Sequence, residues 1–330
     1  MKISYGQLWA VLFLSNAFTV ICSAVSYSVA QMTGTLISVL VQFVLTVPVI
    51  CFLKKKKYKA NFRLPASMLF SVYFIFAGMI SFSRMFSILR YENSGLTSFG
   101  NTMIVILLAV CVLYCCRLGI HSAGRSAVIV AGLFIFFVAV LFATSYSQAE
   151  FSNITSKYDE NSVWYYVIND ISNSVELPAL LILPCFAEKN QYKSIMLYFL
   201  TKLILVEMIS FLGVIVLGRA SLISDSPFFE ICSFSQPLSV QRSDALFIGI
   251  NTLICIVNIT VDAVAVSVFA GKYIKYSEFS GVVLMLSGGI WFHMHEIYSA
   301  GYLSVIVMLM LVYISVFYRY MRKSERGVSA

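Results

Sequence analysis

The 330 residues are 60% hydrophobic and only 12% charged, with a mean hydropathy of +0.88; that is about half the charged share of a soluble domain and excludes an ordinary water-soluble globular protein. The net charge of +8 would suit nucleic acid or an acidic partner if the cations formed one polar face, but they sit in short connections between apolar runs, where membrane topology explains them. No nucleic-acid partner is therefore expected, and the apolar stretches from Tyr5 to Tyr318 predict a single membrane-embedded domain over residues 1–330.

About 20 apolar residues cross the hydrocarbon core. On that length the sequence predicts about ten spanning helices, near 5–25, 33–53, 66–89, 99–117, 123–145, 163–186, 194–218, 243–270, 279–297 and 299–318. The first has Lys2 before it, but it is long and lacks a small-residue cleavage site, so it reads as a spanning helix rather than a signal peptide. The last two are divided only by Ser299, Ala300 and Gly301, a turn signal short enough to make one re-entrant unit of them.

Alternation of ten helices puts Lys2, the run Lys54 to Lys57, Lys59, Arg63, Arg117, Arg125, Lys189, Lys193, Lys272, Lys275, Arg319, Arg322, Lys323 and Arg326 on one side. By the positive-inside bias that side, with both termini, is cytoplasmic. The other side receives Arg90, Lys157, Arg219 and Arg242 among several acids. Its two longest connections, 146–161 and 219–243, are expected to form a short surface helix or a lid. Ten helices also permit two inverted halves of five, because five is odd. Of the cysteines only Cys232 falls in an outer loop, so no disulfide framework follows.

The sixth helix carries the chemistry. It is polar in its middle, from Asn169 and Asp170 through Ser172, Asn173 and Ser174 to Glu176, and Pro178 follows. Proline lacks an amide hydrogen and disfavours helix at Leu177, so a discontinuous helix is expected, and such breaks make solute or ion sites from helix ends and freed carbonyls. The alternative is a proline kink with Asp170 at the outer interface. In an inverted repeat its partner is the first helix, where Ser15, Asn16, Ala17, Phe18 and Thr19 interrupt the apolar run; an unwound backbone and polar interhelical packing are both open there. In the eighth helix Asn251, Asn258 and Asp262 share one face. Asp262 reads as a proton or cation site or as a buried clamp. Arg84 and Glu207 are further buried charges, whereas Lys202 is expected to snorkel to the headgroups. His293, His295 and Glu296 lack a fourth ligand and read as a polar cap more readily than as a metal site. HExxH, GxSxG, GxxxxGK[ST] and paired CxxC are absent, so neither enzymatic activity nor a cofactor is expected.

Three segments resemble the spore germination permease family, the B-type subunits of nutrient germinant receptors within the amino acid–polyamine–organocation transporter superfamily. Residues 117–127, RLGIHSAGRSA, resemble that family's connection between helices four and five. Glu176-Leu177-Pro178, running to Leu183-Pro184 and the basic stretch 188–193, resembles its Glu-containing sixth helix. Residues 241–250, QRSDALFIGI, resemble the start of its eighth helix. The chain departs from the family at Asn251, where Trp is common, and in lacking a Gly-rich first-helix break.

The resemblance implies a LeuT-like fold of ten helices in a 5+5 inverted repeat, discontinuous in helices one and six, with a site between helices one, three, six and eight. It implies a sensor of a small nutrient such as an amino acid, in the inner membrane of a bacterial spore. Its partners would be an A-type membrane subunit and a C-type lipoprotein. On this reading Asn16, Asn173, Ser174, Glu176 and Asn251 bind the ligand, and Asp170 and Asp262 couple an ion or proton. A proton-coupled secondary transporter of amino acids or other small solutes is the alternative, and a membrane scaffold for partner subunits a third reading.

Overall fold

Most of these helices are apolar on every side, so each can bury one face against its neighbours and turn the other to lipid. The computed structural model describes residues 3–23, 26–55, 64–92, 98–154, 159–187, 190–224, 226–234, 244–271 and 273–298. Along them run α1 (Tyr5–Ser23), α2 (Val29–Lys55), α3 (Leu64–Glu92), α4 (Ser98–Leu118), α5 (Ile120–Ser145), α6 (Val163–Asn173), α7 (Ala179–Ile182), α8 (Gln191–Leu217), α9 (Pro227–Phe234), α10 (Asp244–Ala270) and α11 (Ser277–Met294). No strand occurs among the described residues, where an isolated bridge joins Ile3 to Ala187.

Six helical stretches among them are long and apolar enough to cross a membrane: Tyr5–Ser23, Val29–Pro48, Ser67–Leu89, Ile120–Gln148, Gln191–Leu222 and Leu246–Ala270. The protein is thus an all-helical integral membrane protein. The sequence predicts about ten spans, and the difference has physical causes. The apolar part of α4, Met103–Leu118, is shorter. The sixth expected span is cut into α6 and α7, neither of which crosses alone, and α11 has 18 residues with a polar first turn. The helix expected at 299–318 lies outside the described residues, as do Gln241, Arg242 and Ser243 and several of the basic residues used for orientation.

The helices sort into two groups. In one, α2 packs on α6 and α8, and α1 on α8; in the other, α3 packs on α10 and α11, and α4 on α10; α5 lies against α1 and α10. Hydrogen bonds between elements give the directions. The Ile3 amide donates to the Phe186 carbonyl at 2.9 Å, and at the opposite end the Ser26 and Tyr166 hydroxyls meet at 2.7 Å, so α1 runs opposite to α6 and α7. Ser194 bonds the Tyr5 carbonyl and Trp9 bonds Thr201, so α8 runs with α1. Ser67 bonds the Phe269 carbonyl while Cys255 faces the Ser81 carbonyl, so α3 and α10 are antiparallel. On α5, Ala127, Val130 and Phe134 are buried whereas Ile129, Leu133 and Phe136 are exposed, the division expected of a lipid-facing helix.

Two expectations need correction. α1 is continuous through Ser15 to Thr19, because with neither Gly nor Pro there the backbone keeps its internal hydrogen bonds in an apolar setting. The second outer connection does form a helix, α9, but Phe228, Phe229, Ile231 and Cys232 are buried in it, and Phe228 packs edge-on against Phe247 of α10 with ring centroids 5.8 Å apart. It is a wedge rather than a surface lid, and Cys232 is a buried thiol.

The first outer connection is fastened at Asp159, whose carboxylate accepts from Ser28 Oγ at 2.5 Å, from the Tyr166 hydroxyl and from the Asn161 amide at 3.0 Å. Partial burial would raise the Asp159 carboxyl, but these hydrogen bonds outweigh it and hold it below the ordinary value of 3.8. The bonds thus stabilise the fold above that value, and the contribution fades as pH falls through it toward the lower folded value. Asp159→Asn should flatten the acid side of a thermal-stability profile measured from pH 6 downward. Nearby, α2 and α6 approach closely at Gly34, where an added Cβ would lie 2.5 Å from Tyr166 Cβ and 2.8 Å from the Val163 carbonyl oxygen. Gly34→Ala should therefore destabilise by about 1–3 kcal/mol, read as a lowered unfolding temperature in lipid nanodiscs.

Candidate functional site

α6 is capped at its start by Ser162, whose hydroxyl accepts from the Tyr165 amide at 3.3 Å, and it ends at Asn173 because the next residues leave helical geometry. Ser174 has ψ 71°, the Val175 amide turns back to the Asn173 carbonyl at 2.8 Å, and Pro178 brings no amide hydrogen. Helix resumes at Ala179, and Pro184 tightens it into a final turn over Leu183–Phe186. The freed carbonyls find side-chain partners. The Tyr73 hydroxyl donates to the Val175 carbonyl, and an Arg84 guanidinium nitrogen reaches the Asn173 carbonyl at 3.2 Å and its Oδ1 at 3.3 Å. A cation at the C-terminal end of α6 also complements the helix dipole.

Glu176, in the middle of the break, pairs with Lys202 of α8 at 2.9 Å. Both are buried, 2% and 1% exposed. The ammonium uses three acceptors, Glu176 Oε1 at 2.9 Å, Gln42 Oε1 at 2.8 Å and Ser174 Oγ at 3.1 Å, which matches its three hydrogens. Glu176 also accepts from the Tyr198 hydroxyl at 3.0 Å and from Thr19 Oγ1 at 3.3 Å. The amide of Gln42 extends the network: its Nε2 donates to Asp170 Oδ2 at 2.9 Å, an oxygen that Ser38 Oγ also reaches at 2.5 Å. On the other flank Arg84, 3% exposed, donates to Thr19 Oγ1 at 3.3 Å and through Nε to the Tyr298 carbonyl at 2.9 Å. One chain of polar contacts therefore links α2, α6, the break, α8, α1 and α3.

Two small cavities flank this chain. One, of about 30 Å³, is lined by residues including Gln31, Tyr166, Asn169 and Asp170. The other, of about 20 Å³, lies between α1, α3, the break and α10 and is lined by residues including Thr19, Tyr73, Arg84, Glu176, Asn258 and Asp262. Each has room for about one or two waters. The second cavity touches the counterparts of helices one, three, six and eight, whereas the first lies between those of helices one, two, six and seven.

Of the expected site residues, Asp170, Asn173, Ser174 and Glu176 are brought together. Asp170 is a hydrogen-bonded member of the bundle rather than an interfacial acid. Asp262 lines the second cavity and is partly buried. Asn16, 1% exposed with neither side-chain polar atom bonded, lines neither cavity, nor does Asn251, which is buried and set against Cys22. Both remain on the α1 and α10 faces without joining the break. Lys202 does not snorkel: it is the central counter-ion, because Glu176, Ser174 and Gln42 offer it in the interior what the headgroups would offer outside. Gln42, Ser38, Tyr73 and Tyr198 gave no sequence signal beyond being polar positions in apolar runs. His293 stacks on Phe86 with ring centroids 5.4 Å apart and His295 lies over Trp291 at 4.6 Å; among the described residues no group of three or more His, Cys, Asp or Glu is placed to hold a metal ion.

Comparison with known protein families finds none that matches this chain, and no characterised protein is significantly similar to it.

Removing one member of a buried ion pair leaves the other charge without compensation, at about 3–5 kcal/mol. Lys202→Met should lower thermal stability on that scale, and Lys202→Met combined with Glu176→Leu should recover most of the loss in the same unfolding assay.

Proposed function

We propose that the protein binds a small solute at the 174–178 break and acts as the nutrient-sensing subunit of a spore germinant receptor, in the inner spore membrane with both termini cytoplasmic. The observation that carries the solute-binding reading is the break itself, set inside the bundle with the buried Glu176–Lys202 pair and a cavity against it. The sensing role rests on the resemblance of residues 117–127, 176–193 and 241–250 to germinant-receptor permeases, which also supplies the A-type subunit and C-type lipoprotein as partners and an amino acid as the nutrient.

The packing supports the finer fold reading, a LeuT-like 5+5 inverted repeat. Exchange α1 with the α6–α7 unit, α2 with α8, α3 with α10 and α4 with α11, and the pairing of α1 with α8 becomes that of α6 with α2. The pairing of α3 with α11 becomes that of α10 with α4. The exchanged members that hydrogen bonds orient, α1 with α6–α7 and α3 with α10, run in opposite directions, as inverted repeats require. The symmetry is partial, since only the second half has its leading helix broken. In this reading the structure is an occluded state, and a ligand acts by favouring one arrangement of the break over another.

Secondary transport coupled to protons is the second reading, favoured by Asp262, an acid facing the cavity without an ion-pair partner among the described residues. Concentrative uptake in proteoliposomes that collapses with the proton gradient is its signature; binding without flux belongs to the sensor.

Thermal stabilisation of the purified protein by amino acids, nucleosides and sugars tests the shared claim. A solute-specific rise in unfolding temperature that Glu176→Gln abolishes is expected. A full panel without effect on the wild-type protein would sink solute binding, and an undiminished response in Glu176→Gln would remove Glu176 from the site.

A further inference from the structure

We infer that Asp262 and Asn258 form the docking point for a primary ammonium group, so that the solute bound at the break is a protonated amine. This deepens the solute-binding reading above and rests on it.

Asn258 and Asp262 are one turn apart on α10 and both line the cavity of about 20 Å³. Asn258 is 6% exposed, and its side-chain oxygen receives no hydrogen bond. Asp262 makes no hydrogen bond or ion pair with any described residue. An acceptor left without a donor away from water is costly, and the buried amide oxygen of Asn258 and the partly buried carboxylate of Asp262 belong to residues that line the same space.

The cations close by do not answer them. The three hydrogens of Lys202 are matched by Glu176, Gln42 and Ser174. Arg84, which lines the cavity, directs its described bonds to Tyr298, Thr19 and Asn173. With Asp170, Glu176 and Asp262 ionised, the cluster holds one carboxylate more than it holds cations. What completes it is a positive charge that also donates hydrogen bonds.

The rest of the wall narrows the chemistry. Phe18, Ala77, Val175 and Ala179 are apolar, and of the charged residues on the wall the acids Asp262 and Glu176 outnumber Arg84, so a ligand bearing only negative charge is disfavoured. A desolvated divalent metal ion calls for about six oxygens, whereas the acceptors this wall leaves without a donor are the carboxylate of Asp262, the amide oxygen of Asn258 and the hydroxyl of Ser15. An ammonium needs about three acceptors, and its small head suits the volume. A quaternary ammonium has no hydrogen to give and three more carbons to seat. In the transport reading a proton would supply the same missing charge; here the ligand brings it.

The test uses the full chain in lipid nanodiscs at constant ionic strength, with matched pairs of compounds: alanine against lactate and ethanolamine against ethylene glycol. The amines should raise the unfolding temperature and their hydroxyl counterparts should not. Asp262→Asn should weaken amine binding by about tenfold or more and leave the ligand-free protein as stable as the wild type or more so, since an uncompensated charge is removed. Asn258→Ala, which keeps the carboxylate, should also weaken it and serves should Asp262→Asn fail to fold. Equal stabilisation by the hydroxyl counterparts, equal stabilisation by sodium chloride alone, or amine binding unchanged in both variants would overturn the ammonium site while leaving a solute site standing. No shift with any amine, while another solute class stabilises the protein and Glu176→Gln removes that effect, would do the same. No shift with any solute at all would overturn both.

Discussion

The buried pair of Lys202 and Glu176 is the constraint around which the bundle is arranged. A break in a membrane-embedded helix frees backbone groups that have no water to turn to, and this one also places a carboxylate in the interior. Both problems are solved by side chains from other helices. Lys202 neutralises Glu176, Gln42 relays the contact to Asp170, and Tyr73 and Arg84 take the carbonyls of Val175 and Asn173. Ion pairs of this kind contribute little net stability compared with apolar packing. Their effect is on register: α2, α8 and α3 can each sit against the break in only the few positions where donors meet acceptors.

On the solute-binding reading proposed above, that dependence is what makes the break responsive. The network is closed on the Lys202 side, where every ammonium hydrogen has an acceptor, and open on the Asp262 side, where two acceptors on α10 face a small cavity. A solute entering there would meet Glu176, Thr19 and Arg84 at once, and each of these is tied to a different helix. Thr19 belongs to α1, Arg84 to α3, and Glu176 leads through Lys202 to α8 and α2. Movement of one short segment is therefore felt by four helices, the kind of two-state arrangement through which a ligand can shift a packed core.

Much of this was legible in the sequence. Helix positions followed from the length of apolar runs, and the break followed from Pro178 after a polar stretch, because both rest on local chemistry. Lys202 was misread for a geometric reason. With the seventh helix expected to begin at 194, Lys202 stands about 12 Å into it, within reach of a snorkelling side chain. α8 begins at Gln191 and places it about 16 Å from that end at 1.5 Å per residue, near the middle of a core about 30 Å thick. A signal was present: Glu176 at a break needs a buried cation, and Lys202 lies in the next helix. Gln42 and Tyr73 could not be read in the same way, since their roles depend on which helix faces the break, and the local sequence does not encode that.

On the inverted-repeat reading proposed above, the continuous first helix changes how the two halves would relate. In a repeat with both leading helices broken, either half can supply unwound backbone to a ligand; here only the segment between α6 and α7 is unwound. α1 instead contributes one hydroxyl, Thr19, which donates to Glu176 and accepts from Arg84. A single threonine thus couples the anion of the break to the cation that caps α6, and α1 can serve as the fixed partner against which the break is held. The absence of Gly and Pro between Ser15 and Thr19 agrees with that part, since the polar contacts of the site that reach α1 come to Thr19 from the break and from α3.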